Sequence, residues 1–470
     1  DLSVLDELAL VVADGDQSRV EEALDAALLR HPSNLQLLTL AWRRGEAPFW
    51  EPFVVEAEAF AAEHRDFATD VDVALLLDQA VERIHSDGSS LYYYHGLSRA
   101  NTPVGARRAA VLQPLPEAWL LKVRIHKADG SIVVPANLQA GDERIELLGV
   151  EPGDVVEEEY VAAVGATGAS RRGHLPPYLY RFADPDRAFG LSEYVLLVPP
   201  EIELQVDGNF AGLERSESEL GGLRLQRWRA ERVPQMAVEP FAPPAQELVP
   251  WLNYGFGVSW QDVGDIFRDR LLPALRASPE LRAWGSAALS GQTAEEQLRS
   301  LVAAAVATIE DAQGGIDPAS SAADVFATRS GDRFKVIAAV LTAAGWQVDL
   351  VLTRAWNERD RHLTVPTLDT FPAAVMRVAR GGEELWLDVR EEQRGVNALS
   401  PLFQGADGLV LPLSEPQRPV ELLDRAGVKF QYMGEDEACC GIPMKVAGRW
   451  DVFEEIYLHN TTEARSRGAK

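Results

Sequence analysis

The sequence predicts a multidomain α+β protein: a helical segment, a β-sandwich, a unit of helices followed by strands, and a short cysteine-bearing tail. Three observations predict it. Apolar residues recur at helical spacing up to about residue 72; from Val73 the period falls to two, with turn signals between the runs; and beyond a proline-rich stretch at 238–250, helices precede strands. A chain of 470 residues exceeds one ordinary core, so three or four packed units are expected.

In residues 1–72, Leu2, Leu5, Leu8 and Val11 lie at helical spacing, as do Val20, Leu24, Ala27 and Leu28. His31-Pro32-Ser33-Asn34 stops one helix and supplies a cap for the next, which begins at Leu35. Glu22–Leu40 resembles the junction of two tetratricopeptide units, with Pro32 at the break. Two readings stay open: the last piece of a longer helical array, or a helical cap on the next unit.

Residues 73–237 read as strands. Val81–His85 and Leu91–Tyr94 flank the turn Ser86-Asp87-Gly88-Ser89, and Leu121–His126 and Ser131–Val134 flank Ala128-Asp129-Gly130. Asp-Gly supplies the positive φ angles of a tight hairpin. Further strands are predicted at Val155–Ala163, Tyr194–Val198 and Leu223–Arg229, and this many short strands suggest a β-sandwich. Val238–Pro250 reads as a linker or extended strap. In residues 238–415, helices are predicted at Trp260–Ala274, Ala294–Gln313 and Arg333–Gly345, then strands at Gln347–Thr353, Ala373–Val378 and Glu384–Val389.

Hydrophobic residues make up 46% and charged residues 25%, the profile of a soluble globular protein. The formal net charge of −27 argues against non-specific binding to nucleic acid or to an anionic membrane surface, and favours basic partners. No apolar run is long enough to span a bilayer. Asp1–Leu10 has neither the basic nor the apolar region of a signal peptide, although one could have been removed, and the compartment stays unassigned. The only cysteines, Cys439 and Cys440, are adjacent, so no disulfide framework is expected.

Two blocks of the sequence resemble a bacterial family in which a β-sandwich domain of unknown function precedes a transglutaminase-like, papain-type core. The first carries Ser86–Ser89, Lys127–Ser131 and Leu147–Tyr160; the second carries Ser259–Val263, Ala323–Trp346 and Leu385–Asp388. In that family a Gly-Asp-Cys sequence opens the core helix. The helix N-terminus lowers the thiol pKa, a strand histidine takes the proton, and an aspartate orients the histidine.

The resemblance places Arg333 at the nucleophile position, after Gly331-Asp332, and Ala373 at the histidine position, after Phe371-Pro372; Asp388 alone is retained. Arginine cannot attack a carbonyl and alanine carries no proton, so no acyl transfer is expected there. An arginine fork suits a carboxylate. Arg333 and Asp388 are therefore expected to pair in the vacated cleft, binding a peptide carboxylate or bracing the fold. A hydroxyl nucleophile at Ser330 or Thr328 with His362 as base is the weaker alternative. The histidines His31, His64, His85, His95, His126, His174 and His459 show no metal spacing.

The tail, residues 416–470, carries Ala438-Cys439-Cys440-Gly441-Ile442-Pro443, then Ala447-Gly448 and a helix predicted over Trp450–His459. It resembles part of the cysteine-rich CCG domain of heterodisulfide-reductase-type iron–sulfur oxidoreductases. That resemblance implies a cluster or zinc held by several thiolates, of which this sequence has two. No cofactor is expected unless a partner chain completes the Cys439/Cys440 site. Whether the tail is a fusion, a truncation or an assembly artefact stays open.

The sequence thus points to a non-catalytic transglutaminase-like protein acting as a protein- or peptide-binding module, its partner basic in character. The alternative is an iron–sulfur or thiol redox protein acting through the tail.

Overall fold

A computed structural model describes residues 17–136, 138, 144–167, 173–236, 248–311, 320–355, 363–367, 370–388, 396–397, 399–426, 458–459 and 462. Helices α1 (Gln17–Arg30) and α2 (Leu35–Arg43) pair through Leu24, Ala27, Leu37 and Ala41. The Asn34 side chain caps α2 by accepting from the Gln36 and Leu37 amides. Leu35, Trp50 and Phe53 then pack onto a sheet, where Trp50 stacks on Tyr93 with ring centroids 5.0 Å apart. α3 (Ala57–Glu63) adds Ala57 to the same covering layer. Among the described residues these helices cover one face of the sheet, and the Leu2–Val11 periodicity lies outside them.

The strands of the first unit are β1 (Val73–Ile84), β2 (Ser90–Ala100), β3 (Trp119–His126), β4 (Val155–Val164), β5 (Ala188–Val198), β6 (Gln205–Asn209), β7 (Glu214–Leu220), β8 (Leu223–Val233) and β9 (Trp251–Gly255). Between β2 and β3 lies α4 (Pro103–Ala109). Eight strands form one sheet in the order β7-β8-β5-β1-β2-β4-β3, closed at the far edge by Ile132–Val133. Its pairs are antiparallel except β1 with β5. A smaller sheet of β6, β9 and Tyr180–Arg181 covers one face. There Tyr180, Leu252 and Tyr254 pack against Ala80, Tyr92, Tyr194 and Trp228.

The expected sandwich of two sheets is therefore one layer short. The large sheet lies between the small sheet and the helical cap, so its central strands are buried on both faces. β5 is buried at every position, which gives a continuous apolar run rather than strict alternation. β9, counted above with the following unit, belongs here: Val206 pairs with Tyr254 and Gly208 with Leu252.

The second unit contains α5 (Trp260–Ala274), α6 (Pro279–Ala288), α7 (Ala294–Thr308), α8 (Ala322–Thr328) and α9 (Arg333–Ala343), then β10 (Gln347–Thr353), β11 (Ala373–Arg380), β12 (Glu383–Leu387), β13 (Ala406–Pro412) and β14 (Glu421–Ala426). Capping boxes start α5 at Ser259, α7 at Thr293 and α8 at Ser321. The five strands form an antiparallel sheet ordered β12-β11-β10-β13-β14. Its helix-facing side chains, among them Leu350, Met376, Leu387 and Leu409, surround α9, which is buried from Arg333 to Leu341. A helix apolar on nearly every side belongs at the centre of a core, and α9 is there. The two units touch where Asn253 Nδ2 donates to the Val365 carbonyl at 3.1 Å.

Candidate functional site

Arg333 is the first residue of α9, after the N-cap Asp332, whose carboxylate accepts from the Phe334 amide. A cation at a helix N-terminus opposes the dipole. Here the guanidinium is 3% exposed and Nε donates to the Ile309 carbonyl at 2.9 Å. Ile309 is the C-cap of α7, so the charge meets the negative end of another helix. A short parallel pairing of Glu310–Asp311 with Ser330–Gly331 fixes that helix end beside α9. Lys335, fully buried two residues on, donates to the Ser320 carbonyl at 2.6 Å.

Ala373 opens β11 and Asp388, 4% exposed, directly follows β12; the two strands are neighbours, with Met376 opposite Leu387. Ala374, Met376 and Val378 turn towards the helical core, and alternation turns Ala373 to the other side with Val375. The hydroxyl of Thr328 is engaged by the Asp324 and Ser330 carbonyls at 2.9 and 3.1 Å. Ser330 is exposed, and His362 lies outside the described residues.

A second region went unnoticed in the sequence. A cavity of about 430 Å³ opens on the small-sheet face of the large sheet, lined by Asp78, Tyr94, Glu158, Tyr160, Tyr178 and Arg187 among others; its size suits a small ligand. Its floor follows from register. Asp78 of β1 pairs with Gly96 of β2, and Gly96 pairs with Glu158 of β4, so two carboxylates flank a residue without a side chain. A Cβ at Gly96 would lie 2.8 Å from the Tyr94 ring.

Asp78 accepts from the hydroxyls of Tyr180 at 2.6 Å, Ser192 at 2.7 Å and Tyr94 at 3.1 Å. Burial still holds its carboxyl above the usual range, against the pull of those bonds. Glu158 has no such support: its Oε1 is buried without a hydrogen bond, and burial pushes the carboxyl up to about 7. The visible signal was Glu157-Glu158-Glu159 inside an apolar strand. Neither Arg333 nor Asp388 lines this cavity.

Residues 414–470 match the CCG cysteine-rich domain. The first part of that match is built into the preceding core. β14 pairs with β13, Arg418 reaches the buried Asp349 carboxylate at 3.1 Å, and the Val420 amide donates to Gln261 Oε1 at 2.8 Å. Cys439, Cys440 and most of the predicted 450–459 helix lie outside the described residues. Two thiolates do not fit the four-cysteine set that usually holds a cluster.

Among solved structures, a "putative protease" from Parabacteroides distasonis aligns with a TM-score of 0.55 at 14% identity, over 76% of this chain and 72% of its own. That likeness is one of fold. A "putative cysteine protease" from Cytophaga hutchinsonii aligns at a TM-score of 0.22 and 11% identity, over 54% of this chain and 89% of its own. An M1 zinc metallopeptidase from Deinococcus radiodurans aligns at 0.23 and 12% identity, over 39% of this chain and 42% of its own. No curated protein matches the sequence. No helix among the described residues is long and apolar enough to cross a membrane.

Proposed function

We propose that the chain is a non-catalytic, transglutaminase-like protein that binds a peptide by its ammonium groups. The observation that carries the binding is the cavity floor, where Asp78 and Glu158 flank Gly96 and Glu158 Oε1 has no hydrogen-bond donor. A buried acceptor without a donor is costly, and a lysine side chain or peptide amino end would supply one. The net charge of −27 favours a basic partner at longer range. Arg108, Arg181 and Arg187 at the cavity wall would turn to the ligand's carbonyl or carboxylate groups.

The protease reading suggested by the Parabacteroides relative would need a nucleophile and a base beside Asp388. Arg333 and Ala373 supply neither, and both cysteines lie more than fifty residues downstream of Asp388. In this reading Arg333 and Asp388 brace the vacated position. Incubation with casein and a labelled primary amine, and separately with a peptide library, should show background incorporation and cleavage. Activity that Asp388→Ala abolishes would overturn the non-catalytic reading. The CCG match favours a second reading, a thiol or iron–sulfur role for the tail in which a partner chain completes the Cys439/Cys440 set.

A further inference from the structure

On the helix-covered face of the large sheet, a polar row crosses six strands in register. Arg229 pairs with Glu193, Glu193 with Gln79, Gln79 with His95, His95 with Glu159, and Glu159 with Lys122. The row separates two apolar clusters, one around Trp50 and Tyr93, the other around Phe67 and Leu97. Most of it is internally satisfied: Gln79 donates to Glu193 at 2.9 Å and Lys122 to Glu159 at 2.6 Å. Gln79 Oε1 and Arg229 Nε are buried without partners, and His95 goes further. It is wholly buried, and neither ring nitrogen makes a hydrogen bond.

We propose that His95, Glu157 and Glu159 form a binding site for a divalent transition-metal ion of the zinc class. His95 Nε2 lies 3.6 Å from Glu157 Oε1 and 3.6 Å from Glu159 Oε1. These separations exceed a hydrogen bond but are close to the edge of a tetrahedron with metal–ligand bonds of about 2.0–2.1 Å, which is roughly 3.3–3.4 Å. One imidazole with two carboxylates is a donor set that zinc accepts. The surroundings resemble those of a metal carboxylate, since the other oxygen of Glu157 is bonded to His126 Nε2 at 2.7 Å, leaving Oε1 turned to His95. Burial works against the Glu157 charge, yet its hydrogen-bonded partner His126 and the neighbouring His95 imidazole hold its carboxyl well below the usual range.

Lys122 explains how the carboxylates coexist without metal. Its ammonium sits on Glu159 Oε1 and lies 4.0 Å from Glu157 Oε1, the position a cation would take. The side chain is 35% exposed, so it swings to solvent as metal enters. The ion then joins β2 to β4 beneath the helical cap.

The test uses the full chain carrying Cys439→Ser and Cys440→Ser, so that tail thiols bind no metal. After chelator treatment it is titrated with zinc chloride, reading bound zinc per chain and the thermal midpoint. One equivalent of zinc and a raised midpoint are expected. His95→Gln should lose the zinc, and Lys122→Ala should bind about tenfold tighter, the scale on which neighbours tune metal affinity. Should His95→Gln fail to fold, Lys122→Ala decides: unchanged or weaker binding overturns the site. So does the absence of zinc from both the parent chain and Lys122→Ala, or zinc binding that a folded His95→Gln leaves intact.

Discussion

Three consecutive glutamates in β4 meet opposite environments because a strand turns successive side chains to opposite faces. Glu157 and Glu159 point beneath the helical cap, among His95, His126 and Lys122. Glu158 points into the cavity with no ion pair among the described residues. Its carboxyl is ordinarily half-protonated at pH 4.5, and burial pushes it up to about 7 in the folded chain. Between those values the folded protein keeps a proton that the unfolded chain has released. Stability from this group is therefore present at low pH, falls as pH rises through the window, and levels off above about pH 7. Denaturant midpoints of wild type and Glu158→Gln should accordingly diverge, the wild type losing ground between about pH 5 and pH 8. A difference that stays constant over that range would contradict the assignment.

Elements in the second unit meet at glycines, where the close approach is visible only in three dimensions. Gly285 of α6 faces Val340 of α9, and a Cβ there would lie 2.5 Å from Val340 Cγ1. Alanine improves helix propensity by about 1 kcal/mol, but overpacking a stiff, branched neighbour costs about 1–3 kcal/mol. Gly285→Ala should therefore destabilise the chain, and the added Val340→Ala substitution should recover part of the loss in a double-mutant cycle read by urea unfolding. Additive losses would show that the two helices are not in this contact. The bounds of α5 and β10 and the start of α9 were legible because caps, apolar faces and a β-branched run agree locally: Ser259 starts α5, and Val348, Val351 and Thr353 mark β10, whereas α9 ends at Ala343 rather than Gly345. β7 was not legible, since Glu214–Leu220 is almost wholly exposed and polar and exists because β8 offers it an edge. Nor was α6, whose apolar face is divided between Leu281 and a glycine.

At the scale of the molecule, the helix start at Arg333 could be read from sequence because it sits in a contiguous run, whereas the cavity and the His95 cluster could not. Asp78, Gly96 and Glu158 come from three strands, and only pairing register brings them together. The same holds for the tail. Its family match begins at residue 414, yet β14 completes the preceding sheet, so the join between the two resemblances falls within a shared core rather than a linker. The proposed site would bind basic peptide without turning it over. Isothermal titration of the full chain with a lysine-rich peptide, at about pH 6 and pH 8, tests binding and turnover in one trace. Saturable heats that return to baseline after each injection are expected, with tighter binding at the higher pH where Glu158 is ionised and no heat once the peptide's amines are acetylated. A baseline that stays displaced by continuing turnover, or equal heats from the acetylated peptide, would contradict it.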